Sequence, residues 1–222
     1  MEQKVQLKGL PLEQLQQFVI EKDEPAYRAK QLFHWMYQRN VDEFSEMSDL
    51  PTAFREKLSG EATVEALQLK LVQESSSEDT RKYLFALEDD HNIESVLMFD
   101  KGRSTLCVST QVGCPIDCKF CATGAMGIIR NLTAGEIIDQ ILQVRRQYGE
   151  RITNLVIMGM GEPMLNYDNL MTALDIVSSP ESLDISRRQI VVSTSGLIPA
   201  INRFHEEGRK YRLAISLNAT TD

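Results

Sequence analysis

The sequence predicts an α/β fold, a partial parallel (βα) barrel preceded by a small helical domain and a β-hairpin. Three patterns carry that reading. Strand-like and helix-like runs alternate from residue 105 onward, which gives parallel strands with helices packed outside. The first seventy residues hold apolar positions at helical spacing. Between the two parts lie two β-rich runs joined by a turn.

In the leading part, Leu12, Leu15, Phe18 and Val19 share one helical face, with Pro11 suited to a first turn. A second helix carries Leu32, Phe33, Trp35, Met36 and Tyr37, and a third runs near 52–58, entered through Asp49 and Pro51. The polar run ESSSEDT (74–80) reads as a linker or loop. KYLFAL (82–87) and IESVLM (93–98), joined by EDDHN, read as a hairpin. The expected division is a helical domain over 1–74, a linker and hairpin over 75–104, and the barrel core over 105–222.

Within the core, TLCVST (105–110) is the first strand. The helix after the cysteine-rich loop opens on Thr133-Ala-Gly-Glu136, a capping box in which each side chain satisfies the other's orphan N–H. Strands follow at ITNLVIM (152–158), QIVVSTS (189–195) and YRLAISLN (211–218), separated by helices around 170–177 and 198–207. The fourth strand would leave an unpaired apolar edge, so the chain is expected to be part of a longer protein.

The chain has 222 residues, 42% hydrophobic and 25% charged, ordinary values for a globular protein. No apolar run approaches the ~20 residues of a membrane span. The N-terminus lacks the basic flank and apolar stretch of a secretory signal. A cytoplasmic protein without membrane contact is expected. The net charge of −8 counts against nucleic acid as a first guess. From 105 to 222 the balance is 11 basic against 12 acidic residues, with arginines paired at 145–146 and 187–188.

All four cysteines fall within fifteen residues, at 107, 114, 118 and 121. Disulfide frameworks spread cysteines along small secreted chains, so this crowding points to metal or thiol chemistry. Cys114, Cys118 and Cys121 have C-x3-C-x2-C spacing, which lets three thiolates turn inward in one short loop. Iron–sulfur clusters are held by cysteine thiolates, usually four. Three would leave one iron open to substrate atoms. The alternative is a zinc site or zinc/RNA-binding module with Cys107 as fourth ligand. Structural zinc normally uses two separated pairs, and no second pair exists here.

The second core strand ends in Met158-Gly159-Met160-Gly161-Glu162-Pro163. Its glycines fail dinucleotide-binding spacing but let a ligand approach the backbone closely. Glu162 can accept hydrogen bonds from an ammonium group. The third strand ends in Ser193-Thr194-Ser195-Gly196 and the fourth in Ser216-Leu217-Asn218. Their hydroxyls and amides suit ribose and carboxylate contacts, or the capping of helices.

The cysteine loop after a first barrel strand resembles the radical S-adenosylmethionine (SAM) superfamily signature. That resemblance implies a [4Fe-4S] cluster on Cys114, Cys118 and Cys121, whose open iron chelates SAM. It also implies SAM contacts from Gly161, Glu162, Ser193, Ser216, Leu217 and Asn218. IESVLM (93–98), TLCVSTQVGCPIDCKFCATG (105–124), RNLTAGEI (130–137), MGMGEP (158–163) and STSG (193–196) together resemble the RlmN-type adenine-C2 methyltransferases. The leading helices resemble that family's RNA-binding domain. The resemblance implies methylation of adenine C2 in large-subunit (23S) rRNA and in tRNA, not DNA, with an external electron donor. A methyl-carrying cysteine takes the methyl group first. Glu94 matches the family's proton acceptor, and Cys107 its resolving thiol, which forms a transient disulfide. The methyl-carrying cysteine has no counterpart among the four, so this chain alone is not expected to complete the reaction. The sister adenine-C8 methyltransferases share these motifs.

Overall fold

The computed structural model describes residues 4–217. Asn218, expected to contact SAM, lies outside the described residues. The N-terminal part holds α1 (Leu12–Glu21), α2 (Arg28–Phe33) and α3 (Thr52–Glu61), with a short parallel pair formed by β1 (Val5–Gln6) and β2 (Ala62–Thr63). A single π-helical turn, His34–Gln38, prolongs α2 and keeps Met36 and Tyr37 buried. Leu15, Phe18 and Val19 of α1 are buried, as their helical spacing predicts.

The main sheet has seven strands. Its first half is an antiparallel meander of β3 (Gln68–Glu74), β4 (Thr80–Ala86), β5 (Asn92–Asp100) and β6 (Arg103–Cys107). The expected hairpin is present, with Leu84 opposite Glu94 and Phe85 opposite Ile93. Sequence reading placed no strand at β3. The polar run, read as a linker or loop, is the loop joining β3 to β4, closed by Ser75 N–H donating to Thr80 O at 2.9 Å. Ser75 Oγ also donates to Asp79 at 2.9 Å. The reason for the miss is visible in β3 itself, an exposed edge strand whose residues alternate little in burial.

A short hairpin, β7 (Gln111–Gly113) with β8 (Ile128–Asn131), brackets the cysteine loop, and α4 (Ala122–Ala125) lies between its strands. The second half of the main sheet is parallel: β6 beside β9 (Asn154–Ile157), then β10 (Ile190–Thr194), then β11 (Arg212–Ile215). Helices α5 (Ala134–Tyr148), α6 (Tyr167–Ser178) and α7 (Ile198–Glu206) connect these strands. The fold is thus the expected α/β arrangement with four parallel strands, and the sheet is open rather than closed among the described residues.

Helix α5 is buried over its first eleven residues, including Asp139, Gln140 and Gln143. Helical geometry explains how polar groups survive there, since residues four apart share a face. Gln140 turns towards the sheet, where its Nε2 donates to Ser109 O at 3.0 Å and Ser95 Oγ donates to its Oε1 at 2.8 Å, while Glu136 accepts from Arg130 Nη1 and Nη2 at 2.9 and 2.8 Å. Asp139 and Gln143 turn towards the N-terminal part. Asp139 Oδ2 accepts from the N–H groups of Ala66 and Leu67, both at 2.9 Å, and Gln143 Nε2 donates to Leu67 O at 2.9 Å. Buried polar groups persist only when satisfied in this way. The capping box forms as predicted, Glu136 N–H to Thr133 Oγ1 at 3.1 Å and Thr133 N–H to Glu136 Oε2 at 2.8 Å.

Candidate functional site

The parallel strands β6, β9, β10 and β11 all point their C-terminal ends at one side of the sheet, where barrel chemistry gathers. A pocket of about 260 Å³ opens there. Cys114, Cys118 and Cys121 form one wall, and Gly161, Glu162, Ser193 and Ser216 line the rest. Seven of the residues expected from sequence therefore meet in one place.

Backbone contacts shape the cysteine loop. Cys114 N–H donates to Gly127 O at 2.9 Å, closing the hairpin, and Cys121 N–H donates to Cys118 O at 2.9 Å. Gly113 sits at φ +78°, and a Cβ there would overlap the Gly127 carbonyl. Only glycine permits that crossing. All four cysteines are free and half-buried. Burial pushes the Cys114 thiol up from its ordinary value, against a backbone hydrogen bond from Ile116 that lowers it.

The donor set fits a cluster. Three thiols share one pocket wall, and thiolates are the ligands an iron–sulfur cluster takes. Among the described residues no three His, Cys, Asp or Glu side chains converge closely enough for a single metal ion. A cluster is a larger body and holds its thiolates farther apart, so a pocket wall suits it better than a tight cage. A four-thiol zinc site including Cys107 is not preformed.

Glu162 is 4% exposed. One carboxylate oxygen accepts from Met164 N–H at 3.0 Å and the other from Ser195 N–H at 2.8 Å. Two amides fix its orientation and leave further lone pairs for a cationic ligand group. Gly161, at φ +103°, has no room for a side chain, since a Cβ would lie 2.6 Å from Gln111 Cβ. Ser193 Oγ and Ser216 Oγ are 3.2 Å apart across β10 and β11. Leu217 is 74% exposed and is not part of the pocket wall.

Glu94 and Cys107 lie outside this pocket's lining but on one face of the sheet. Cys107 pairs with Val96, two residues beyond Glu94 on β5, and residues two apart on a strand share a face. The expected alternation holds, with Leu106 and Val108 fully buried on the opposite face. The Glu94 carboxylate is paired with Lys82 Nζ at 3.0 Å, and both are partly exposed. Burial raises the Cys107 thiol above its ordinary value, opposed by a backbone hydrogen bond from Met158, a residue of the pocket wall.

Sequence reasoning missed the buried polar residues behind the site. Ser109 Oγ donates to Glu94 O at 2.6 Å and accepts from Met160 N–H at 2.9 Å. Asn166 Nδ2 donates to Thr110 O at 2.8 Å and to Leu132 O at 2.7 Å. Gln111 joins the cysteine hairpin to the Glu162 loop. Such groups carry no periodic signal, and only their burial reveals them.

Comparison with known proteins agrees with this geometry. Residues 108–222 match the radical SAM superfamily and residues 5–64 match the ribosomal RNA large subunit methyltransferase N-terminal domain. A crystal structure of a radical SAM methyltransferase from Sphaerobacter thermophilus is similar at TM-score 0.93 and 40% identity, covering 98% of this chain and 65% of that one. A probable dual-specificity RNA methyltransferase RlmN of Symbiobacterium thermophilum is 45% identical over 218 residues, covering 97% of this chain and 59% of the relative. The dual-specificity RNA methyltransferase RlmN of Geobacter sulfurreducens is 44% identical, covering 100% of this chain and 61% of the relative. The chain belongs to the radical SAM superfamily, whose cofactors are a [4Fe-4S] cluster and SAM. Within it, the relatives to which the chain is similar are named RlmN RNA methyltransferases. The chain spans about three fifths of the length of these curated relatives.

Proposed function

We propose that this chain carries the cluster- and SAM-binding part of a methyltransferase that modifies adenine C2 in large-subunit rRNA and in tRNA. The observation that carries the reading is the pocket itself, where three thiols face a buried, amide-held carboxylate across a glycine-rich strand end. A cluster held there by Cys114, Cys118 and Cys121 would, when reduced, supply the electron for SAM cleavage.

Each residue then has a defined task. Cys114, Cys118 and Cys121 hold the cluster and leave one iron for the ligand. Glu162 accepts the ammonium group of SAM. Ser193 and Ser216 offer hydroxyls to its polar groups; Leu217, and Asn218 outside the described residues, are assigned to SAM on the family resemblance alone. Cys107, on the face shared with Glu94, supplies the resolving thiol. Its thiolate would attack the sulfur of the methyl-carrying cysteine, which none of this chain's four cysteines provides, forming the S–S bond of a transient disulfide as the carbon–sulfur bond to the adenine adduct breaks. Glu94 accepts a proton. Residues 5–64 contact the RNA. The division into a helical part over 1–74, a connecting part over 75–104 and a core over 105–222 belongs to the same reading, except that Gln68–Glu74 goes with the main sheet as β3 and not with the helical part. The protein works in the cytoplasm with a cellular electron donor. Among the described residues, no helix is long and apolar enough to cross a membrane.

Anaerobic reconstitution with iron and sulfide tests the first half of this reading. A brown protein that cleaves SAM to methionine and 5′-deoxyadenosine on reduction is expected. Colourless protein with stoichiometric zinc overturns it. For the second half, mass mapping of RNA methylated by the chain joined to a relative's C-terminal segment should place the methyl group on C2. Methylation at C8 would assign the chain to the sister activity.

A further inference from the structure

Two parts of the site must stand at a fixed distance for one ligand to touch both. On the reading above, SAM meets the cluster on the cysteine loop and the carboxylate of Glu162. These belong to different elements, the β7–β8 hairpin and the end of β9. Whatever ties the two together sets how well a single ligand spans them.

Gln111 makes that tie. It lies on β7, three residues before Cys114, and is 2% exposed. Its side-chain Oε1 accepts from Glu162 N–H at 2.8 Å, and its Nε2 donates to Asn131 Oδ1 on β8 at 2.7 Å. Its own N–H donates to Met160 O at 3.2 Å. One side chain thus joins both strands of the hairpin to the backbone of Glu162. The vacancy that admits it is left by Gly161, where any Cβ would strike Gln111 Cβ, Cγ and N at 2.6–2.9 Å. Glycine is needed at 161 as much for Gln111 as for the ligand.

We infer that Gln111 is a positioning residue for SAM, holding the Glu162 carboxylate in register with the cluster loop. The inference rests on the reading of the pocket given above. It does not make Gln111 a ligand of either cofactor. A buried hydrogen bond lost on one side leaves the Glu162 amide unsatisfied, so the loop that carries the carboxylate shifts to find another partner. The strand pairing of β7 with β8 and with the Met160 carbonyl uses backbone groups and survives the loss of the side chain.

Gln111→Met, which keeps length and volume but removes both side-chain bonds, separates positioning from folding. The variant should take up iron as the unaltered protein does and lose SAM affinity about tenfold or more. Addition of SAM should perturb the electron paramagnetic resonance spectrum of its reduced cluster less than in the unaltered protein. In the cofactor-free chain, hydrogen exchange at the Glu162 amide should rise while that at Cys114 is unchanged. Gln111→Glu, which retains an acceptor for the Glu162 amide, should recover part of the affinity. Unchanged SAM affinity and unchanged Glu162 exchange in Gln111→Met would overturn the inference alone. Loss of iron and of thermal stability in parallel with SAM binding would make Gln111 a structural residue only. Failure of the unaltered protein to take up a cluster would overturn the reading of the pocket, and this inference with it.

Discussion

Lys8 Nζ lies 2.5 Å from Asp139 Oδ1, and neither side chain is exposed to solvent. The same ammonium reaches Asp42 at 3.0 Å, and Asp42 in turn pairs with Arg146 at 2.5 Å. Burial pushes the Asp42 carboxyl up, but Arg146 and Lys8 together hold it below the usual carboxylate range. The network fastens the N-terminal helices to α5. Removing one member of a buried pair strands the other charge, at a cost of about 3–5 kcal/mol. Lys8→Ala should lower the unfolding free energy by that order in urea titration. Lys8→Met combined with Asp139→Leu should restore much of the loss. A Lys8→Ala protein as stable as the original would mean that water reaches the site.

On the proposed assignment the cluster has three thiolates and no fourth, so it should be intolerant of loss. Alanine at Cys114, Cys118 or Cys121 should each abolish bound iron and the visible absorption. Cys107→Ala should leave iron content intact, because Cys107 is absent from the pocket wall. Iron analysis after anaerobic reconstitution decides, and loss of iron in the Cys107 variant alone would reverse the assignment.

Cys107 also has a pH signature. Its thiol is raised by burial, so it stays protonated in the fold at pH values where an unfolded thiol, with a pKa of about 8.5, already ionises. A folded pKa above the unfolded one gives stability that is full below the unfolded pKa. That stability is lost as pH rises through the folded value. In a chain whose three loop cysteines are replaced by serine, alkylation of Cys107 should be slow at neutral pH. It should accelerate only in the alkaline range, beyond the curve of the denatured chain. Superimposable folded and denatured profiles would contradict this.

Gly161 offers a backbone test. Alanine there meets both a positive φ and the Gln111 side chain, so destabilisation beyond about 1 kcal/mol is expected. Thermal unfolding reads the stability, and SAM titration should show weakened binding. Gly102 has a comparable φ of +78° but nothing near a Cβ, so Gly102→Ala should cost less and leave SAM binding alone.

How much of this was legible beforehand depended on whether the signal was local. Thr133 and Glu136 are three residues apart, and their reciprocal capping was readable because both partners sit in one turn. The C-x3-C-x2-C loop and the glycines before Glu162 were legible for the same reason. Strand β3 was not, because Gln68, Lys70 and Gln73 make an edge that never becomes a buried face. The β7–β8 hairpin escaped notice because its pairing depends on Gly113 meeting Gly127 across the cysteine loop. Gln111, Gln140 and Asn166 are buried amides whose partners lie 20 to 56 residues away, beyond any spacing rule.

The Lys8–Asp139 contact joins positions 131 residues apart. At ribosomal speeds of about 5–20 residues per second, roughly 7–26 s pass between the synthesis of the two. For most of that interval the nascent N-terminal part carries a lysine destined for the interior but still bathed in water, with Asp42 already made and the fully buried Asp139 not yet made. Helix α5, for its part, emerges with polar groups on two faces that need separate hosts. The order of synthesis therefore has the first host waiting in place when α5 arrives. A circularly permuted chain that made α5 first would expose those faces unaccompanied.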